Sequence, residues 1–422
     1  MHAKSALSSL KVRTMTASVS SNIPLTPPQA SPMSFSGRGG EFLKMLVTGS
    51  LYQIPTFGFY RFWLITKLRR HLWANTQIEG ESFEYTGTAK ELLIGFLIAL
   101  AILVPLYVAY FIIAFALEEQ AAFASLPLIL LMYVLFHFGS YRARKYRATR
   151  TVFRGVRFWM KGSGWAYAFR AVLWDVATLF TLGIALPWAM ASLERYRMRH
   201  TYFGSIQGDF AGTGWSLFKR AWWVWVLGIA VIAGVVATSA AVLSYSEGDE
   251  ELAIQFVPTL LILVLLALSP VAMAIFTRWQ INGLRFGEVT AESHLRTGTF
   301  YSLFFKVLFS SIGILIVFAI IIGLAAVFLG TVLQEAVVAM QLGEFTWTAI
   351  SLIVFSALVY LAFFLSMGVI QRYFYGRGLW AAVVTTTAVS NLRSLDAAVA
   401  AGKASGVVGE GLADALDFNV GI

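Results

Sequence analysis

The sequence predicts an all-α polytopic membrane protein. Three transmembrane helical hairpins and two re-entrant or short broken helices are organised by an internal repeat of 125 residues. Composition is the first observation behind that class. Hydrophobic residues make up 58% of the 422 residues and charged residues 13%, and the mean hydropathy is +0.72. A soluble domain carries about 25% charged residues, so water is not the solvent for most of this surface. A duplicated pattern is the second. Gly39, Thr56, Gly58, Trp63, Arg70 and Thr76 recur as Gly164, Thr181, Gly183, Trp188, Arg195 and Thr201, each 125 residues further on. The third is that acidic and basic residues fall into different connecting segments.

Residues 1–36 are rich in Ser, Thr and Pro and lack the apolar core of a signal peptide, so a disordered cytoplasmic arm is expected there. Six runs are apolar and long enough to cross a bilayer as helices of about 20 residues. They are Leu92–Leu117, Ala121–Tyr141, Ala221–Leu243, Ile254–Thr277, Leu303–Leu333 and Trp347–Ile370. Two more apolar stretches, Phe42–Ile65 and Ala168–Leu193, are broken by Thr, Gly and Pro and carry the duplicated pattern. The expected units are repeat 1 (37–161), repeat 2 (162–286), a third hairpin as a degenerate partial repeat (287–378), and a cytoplasmic tail (379–422).

Charge decides how the broken stretches are oriented. Turns inside the hairpins hold Glu118 and Glu119, then Glu247, Asp249, Glu250 and Glu251, then Glu335 and Glu344, with no Lys or Arg. Between hairpins, Arg142 to Lys161 holds eight basic residues and no acid. Basic loops mark the cytoplasmic side. If both broken stretches enter and return on one side, every basic loop is cytoplasmic, as are both termini. The alternative of eight spanning helices places one basic cluster outside. Thr and Gly suit a turn at membrane depth, where non-helical backbone must be buried against protein.

Cysteine is absent, which excludes disulfides, iron–sulfur clusters and Cys-based zinc sites. The five histidines form no close ligand pair, so neither a metal nor a cofactor is expected. Net charge is +10, but the bases flank apolar spans and no nucleic-acid motif accompanies them. The expected partner is the lipid bilayer, including anionic headgroups.

The glycine-rich FSGRGGEF, the repeated TFGFYRFW and TLGIALPW, the exits LRRHLWANT and LERYRMRHT, and the closing GEGLADALD together resemble the YjgN-type bacterial inner-membrane proteins. That family is defined as a domain of unknown function, and the likeness covers Phe35 to the C-terminus. Thr181–Trp188 matches its Thr-Leu-Gly…Pro-Trp element fully, whereas the first copy has Phe57 and Phe62 at the Leu and Pro positions. The resemblance implies location and architecture and no catalytic residue.

Two sets of residues are candidates for function. Thr56, Gly58, Trp63, Asp175, Thr181, Gly183 and Trp188 are candidates to line a substrate site, because an acid and helix-breaking residues at membrane depth mark pathways. Each has a structural alternative in which Thr and Gly build the turn and Trp sits at the headgroup level. Arg142, Arg144, Lys145, Arg147, Arg150, Arg154 and Arg157, interleaved with aromatics, are candidates to grip lipid headgroups, against simple retention of the loop. The expected function is a non-enzymatic, multi-pass inner-membrane protein that binds or transports a small solute. The alternative is a membrane scaffold or anionic-lipid-interacting protein without transport.

Overall fold

A computed structural model describes residues 30–117, 121–245, 250–344 and 346–402. Among them a strand–helix–helix–strand order recurs five times. Strand β1 (Ala30–Phe35) leads through α1 (Gly39–Gln53) and α2 (Arg61–Ala74) to β2 (Thr76–Ile78). Strands β3 (Glu81–Ser82) and β4 (Glu84–Tyr85) then lead through α3 (Ala89–Leu117) and α4 (Ala121–Thr149) to β5 (Thr151–Phe153). Next come β6 (Val156–Met160), α5 (Gly164–Phe180), α6 (Leu186–Arg199) and β7 (Thr201–Phe203). They are followed by β8 (Ile206–Phe210), α7 (Gly214–Tyr245), α8 (Glu250–Gly283) and β9 (Leu284–Phe286). The fifth begins with β10 (Val289–Ser293), α9 (Thr297–Phe328), α10 (Gly330–Gln341) and α11 (Trp347–Gln371). A π-helical stretch (Arg372–Gly378), α12 (Leu379–Thr385) and β11 (Thr387–Ser390) complete it.

Six helices are long and apolar enough to span a membrane, and they coincide with the six runs expected from sequence: Ala89–Ala116, Ser125–Thr149, Gly214–Ala241, Leu261–Gly283, Thr297–Phe328 and Trp347–Thr385. The molecule is a predominantly helical polytopic membrane protein. Neighbouring helices pack in chain order, and α11 packs back on α1.

The strands are an addition that the sequence reading did not contain. All pairings are antiparallel, in the order β3-β2-β1-β11-β10-β9-β8-β7-β6-β5-β4. The first and last strands of that order are separated in the chain by Phe83 alone, so the sheet returns to its start as a closed ring. Phe83 N–H donates to Thr76 and Thr86 N–H to Arg150, which ties the segment to one neighbour and then the other. Closure reduces the free strand edges to the two-residue strands β3 and β4, each paired on one side.

Local chemistry explains why the basic exits fold this way. Thr76, Thr151, Thr201 and Thr387 each open a strand, and each hydroxyl donates to the carbonyl four residues back in the last helical turn. Two-residue turns follow at Glu79–Gly80, Arg154–Gly155, Gly204–Ser205 and Gly287–Glu288. Both residues of the first two turns, and the leading glycine of the others, have positive φ, the backbone that tight hairpins require. The side chain just before each turn (Ile78, Phe153, Phe203 and Phe286) packs into one apolar core inside the ring, together with Val389.

Three expectations are corrected. Ala30–Phe35, taken as the end of a disordered arm, is β1, because its backbone pairs with β11 and β2. The tail expected from Leu379 begins instead as a continuation of the last membrane helix through α12 and then enters the ring as β11. The fifth apolar run, expected to continue to Leu333, ends as a helix at Phe328, and α10 starts anew at Gly330. Residues 1–29, most of the acidic turns at 118–120 and 246–249, and the GEGLADALD segment lie outside the described residues.

Candidate functional site

The duplicated residues build duplicated turns. In both short hairpins a threonine bridges two helices: Thr56 donates to Tyr52 O (2.6 Å) and accepts from Tyr60 N–H (3.1 Å), and Thr181 donates to Ala177 O (2.8 Å) and accepts from Ala185 N–H (3.0 Å). Gly58 and Gly183 have φ of +84° and +89° and donate to carbonyls five residues back, a glycine helix stop. Arg70 and Arg195 each reach the carbonyl of a glycine 17 residues on, Gly87 and Gly212. Trp63 stacks on Tyr60, while Trp188 packs on Trp215 and Phe218. These contacts account for the pattern by backbone geometry.

Asp175 sits between α4 and α5. Its Oδ2 accepts from the Tyr133 hydroxyl at 2.6 Å and lies 3.0 Å from His137 Nε2. This three-residue cluster joins a short hairpin to a spanning helix. Arg170, on the same helix, lies over the Tyr196 ring.

Three of the seven candidate bases, Arg144, Arg150 and Arg154, are paired with acids of the protein itself. Arg144 pairs with Glu194 at 2.8 Å and Arg150 with Glu91 at 2.6 Å. Arg154 bonds Glu79, Glu81 and Asp396 at 3.2, 2.8 and 2.9 Å. Lys145 donates to the Gly162 carbonyl, and Arg142 lies over Phe138. Glu194 is 1% exposed and also binds Arg197. Burial pushes its carboxyl up, but Arg144, Arg197 and Gln280 outweigh that and hold it at about 2.

A cavity suited to a ligand was not visible in the sequence. The strand ring and the adjoining helices line an open-sided cavity of about 740 Å³, within the range of about 300–1,000 Å³ of ligand pockets. Its walls are Phe153, Phe158, Phe286, Ile78 and Val389 from strands and Phe83 from the link between β3 and β4, and its helical side includes Trp73, Met273, Gln371, Tyr375 and Trp380. None of Thr56, Gly58, Trp63, Asp175, Thr181, Gly183 or Trp188 lines it. Gly183 lines a second cavity of about 210 Å³ between the third helical hairpin and α7–α8. The signal available in sequence was the Thr-x-apolar spacing at Thr76, Thr151, Thr201 and Thr387, each following a helix.

At one end of the large cavity, Leu392 and Leu395 of a 3₁₀ turn (Leu392–Ala397) point inward and are 3% and 9% exposed. The strap continues across the ring, where Asp396 meets Arg154 and the Val399 N–H donates to Ser205 at 3.1 Å.

Comparison with known proteins agrees with this architecture. Residues 30–256, more than half of the chain, match the family described as bacterial protein of unknown function, DUF898. The chain is 28% identical over 199 residues to the inner membrane protein YjgN of Escherichia coli K12, covering 45% of this chain and 48% of the relative. To the Salmonella typhimurium LT2 protein of the same name it is 25% identical over 138 residues, 32% of this chain and 33% of the relative. It thus spans about half the length or less of the curated relatives it matches. No solved structure matches it. A duplicated Thr-x-Gly turn, six membrane-length helices and a family match over most of both repeats lead to one conclusion: the chain belongs to the DUF898 family of bacterial proteins of unknown function.

Proposed function

We propose that this protein is a non-enzymatic inner-membrane protein that binds a small apolar solute inside the strand ring. The apolar cavity of about 740 Å³ lined by the ring carries the reading. Binding in it follows from burying apolar solute surface, at about 25 cal/mol per Å². The basic loops support a ring on the cytoplasmic side.

The same topology supports re-entrance of both short hairpins. Helices α1 and α5, of 15 and 17 residues, are about 22 and 25 Å long, short of the ~30 Å hydrocarbon core. Each hairpin also leaves the ring and comes back to it. Their tips expose apolar residues, Phe57 at 93% and Phe180 at 83%, as lipid contact favours. The two copies then share one orientation. A lipid-gripping scaffold is the weaker reading, because Arg144, Arg150 and Arg154 already hold internal acids.

A neutral solvatochromic dye added to the protein in vesicles tests the binding. Its blue-shifted emission is expected to saturate with the wild-type chain and to fall when Ala291, on the cavity wall, is replaced by Trp. Emission unchanged by Ala291→Trp contradicts the reading.

A further inference from the structure

We propose that the occupant of the ring is a hydrocarbon chain of membrane origin, the acyl chain of a phospholipid or of a free fatty acid, admitted from the bilayer side. The proposal rests on the reading of the ring as a binding cavity and names its ligand class.

Three features carry it. First, the strand side of the ring interior offers a polar solute almost nothing, and the polar lining residues Gln371, Arg372 and Tyr375 are confined to the helical side. The Thr76 hydroxyl already donates to Leu72 O and accepts from Trp380 Nε1, and the Thr387 hydroxyl donates to Val383 O. A polar group placed among Phe83, Phe158 and Phe286 gives up its water without replacement, at a cost of about 2–7 kcal/mol. A methylene chain has no such cost.

Second, the end of the ring away from the helices is shut. Leu392 and Leu395 fill it, and their strap is fastened on the far side of the ring by the Asp396–Arg154 pair and the Val399–Ser205 bond. The opposite end is formed by membrane helices, with Met273 39% exposed at its rim. A ligand therefore arrives from the side where the helices stand.

Third, the helical wall leads outward to lipid. The two short hairpins stand between long ones, α1–α2 between α11 and α3, and α5–α6 between α4 and α7. The flanking spanning helices, of 25 to 32 residues, run about 38–48 Å, about one and a half to two times the height of the short pair. Beyond the short tips the wall is incomplete, which gives a chain a lateral route. The polar Gln371 and Tyr375 lie on the helical side of the cavity, at the π-helical stretch. They are placed to hold the ligand's polar end, and π-helical turns recur at functional sites.

Photo-crosslinking of the full chain in vesicles tests this in two arms. One arm uses phosphatidylglycerol with a diazirine at the end of one acyl chain. The other uses unlabelled vesicles supplied with a diazirine fatty acid. After illumination, adducts are expected on peptides containing Phe158, Phe286 or Ala291, in addition to the outward-facing Phe309 and Ile316. Ring adducts in the first arm identify a phospholipid, and in the second alone a free fatty acid. Ala291→Trp is expected to lower ring adducts about tenfold, the equivalent of about 1.4 kcal/mol, while adducts at Phe309 persist as evidence of insertion. Ala291→Leu, a milder filling, is expected to lower them less. Adducts confined to Phe309 and Ile316 in both arms overturn the proposal. If ring adducts are absent but the dye binds in an Ala291-dependent way, the cavity reading stands and the lipid class falls. If both are absent, both fall.

Discussion

The first and third helical hairpins have the same turn and different anchors. Both break at a Thr-x-Gly stop, bond an arginine to a glycine carbonyl 17 residues on, and end in a threonine cap. Around that common backbone the contacts diverge. The third tip is held by Trp225, whose Nε1 donates to Leu182 O at 2.8 Å, and its α5 carries Asp175 against Tyr133 and His137. In the first hairpin the position matching Asp175 is Ser50, which is buried, and Leu64 packs against Gly49. The deepest contrast is one of charge. Position 69 is a buried arginine bonded to the Tyr85 hydroxyl, and the matching position 194 is a buried glutamate between two arginines. What the duplication repeats is backbone geometry, and what differs is how each copy is fastened to its neighbours.

The largest test of that contrast is at positions 69 and 194. Glu194→Met leaves Arg144 and Arg197 without their shared acid, and removing one partner of a buried pair costs about 3–5 kcal/mol. Arg69→Met loses a hydrogen bond from a charged guanidinium to a phenol, about 1.5–3 kcal/mol. Reversible unfolding in mixed micelles is expected to rank them in that order. Equal losses would mean that the two positions are fastened alike.

Acid sharpens the same point. The Glu194 carboxyl lies at about 2 in the folded protein against an ordinary 4.5. A depressed carboxyl contributes stability above its unfolded value, and that stability is lost as pH falls from about 4.5 towards 2. Stability measured across that window is expected to drop, and the drop is expected to shrink in Glu194→Gln. An unchanged slope would remove Glu194 as the acid-sensitive group.

At the two turns, Gly58→Ala and Gly183→Ala both force a side chain into positive φ, at a cost of about 1 kcal/mol. A Cβ at Gly58 meets nothing within 4 Å, whereas at Gly183 it comes 3.1 Å from Trp225 Nε1. The second substitution is therefore expected to cost more, by the same unfolding measurement. Trp225→Phe is the smallest effect, about 1 kcal/mol for one hydrogen bond. It is expected to narrow the gap between the two glycine variants when combined with Gly183→Ala; an unchanged gap would put the difference elsewhere.

Much of the membrane layer was legible because long apolar runs leave few alternatives. All six spans and both breaks at Thr56–Gly58 and Thr181–Gly183 could be read from hydropathy and helix stops. The ring was not, because its strands are two to six residues long and lie beside dense basic residues. Val156–Met160 contains only Arg157 as an alternating polar residue, and the dense arginines around it suggested a cytoplasmic loop. Ring closure is also a long-range fact: β1 pairs with β11 across more than 350 residues, which no local pattern encodes. For the same reason the cavity escaped notice, since its wall residues come from strands far apart in the chain, from Met33 to Val389. Asp175 was identifiable as an acid at depth, but its partners His137 and Tyr133 sit on the preceding helix and emerged only from packing.

The claim that both short hairpins leave and rejoin one ring on one side of the membrane is tested most directly by accessibility of single cysteines. The Cys-free chain gives no background. Cysteine would replace Ser163 before α5, Ser205 after α6, and Glu344 in the turn before α11, and be challenged with an impermeant maleimide in oriented vesicles. Ser163→Cys and Ser205→Cys are expected to react from the same face, and Glu344→Cys from the opposite face. Reaction of Ser163→Cys and Ser205→Cys from opposite faces would contradict re-entrance and make the α5–α6 hairpin a true crossing.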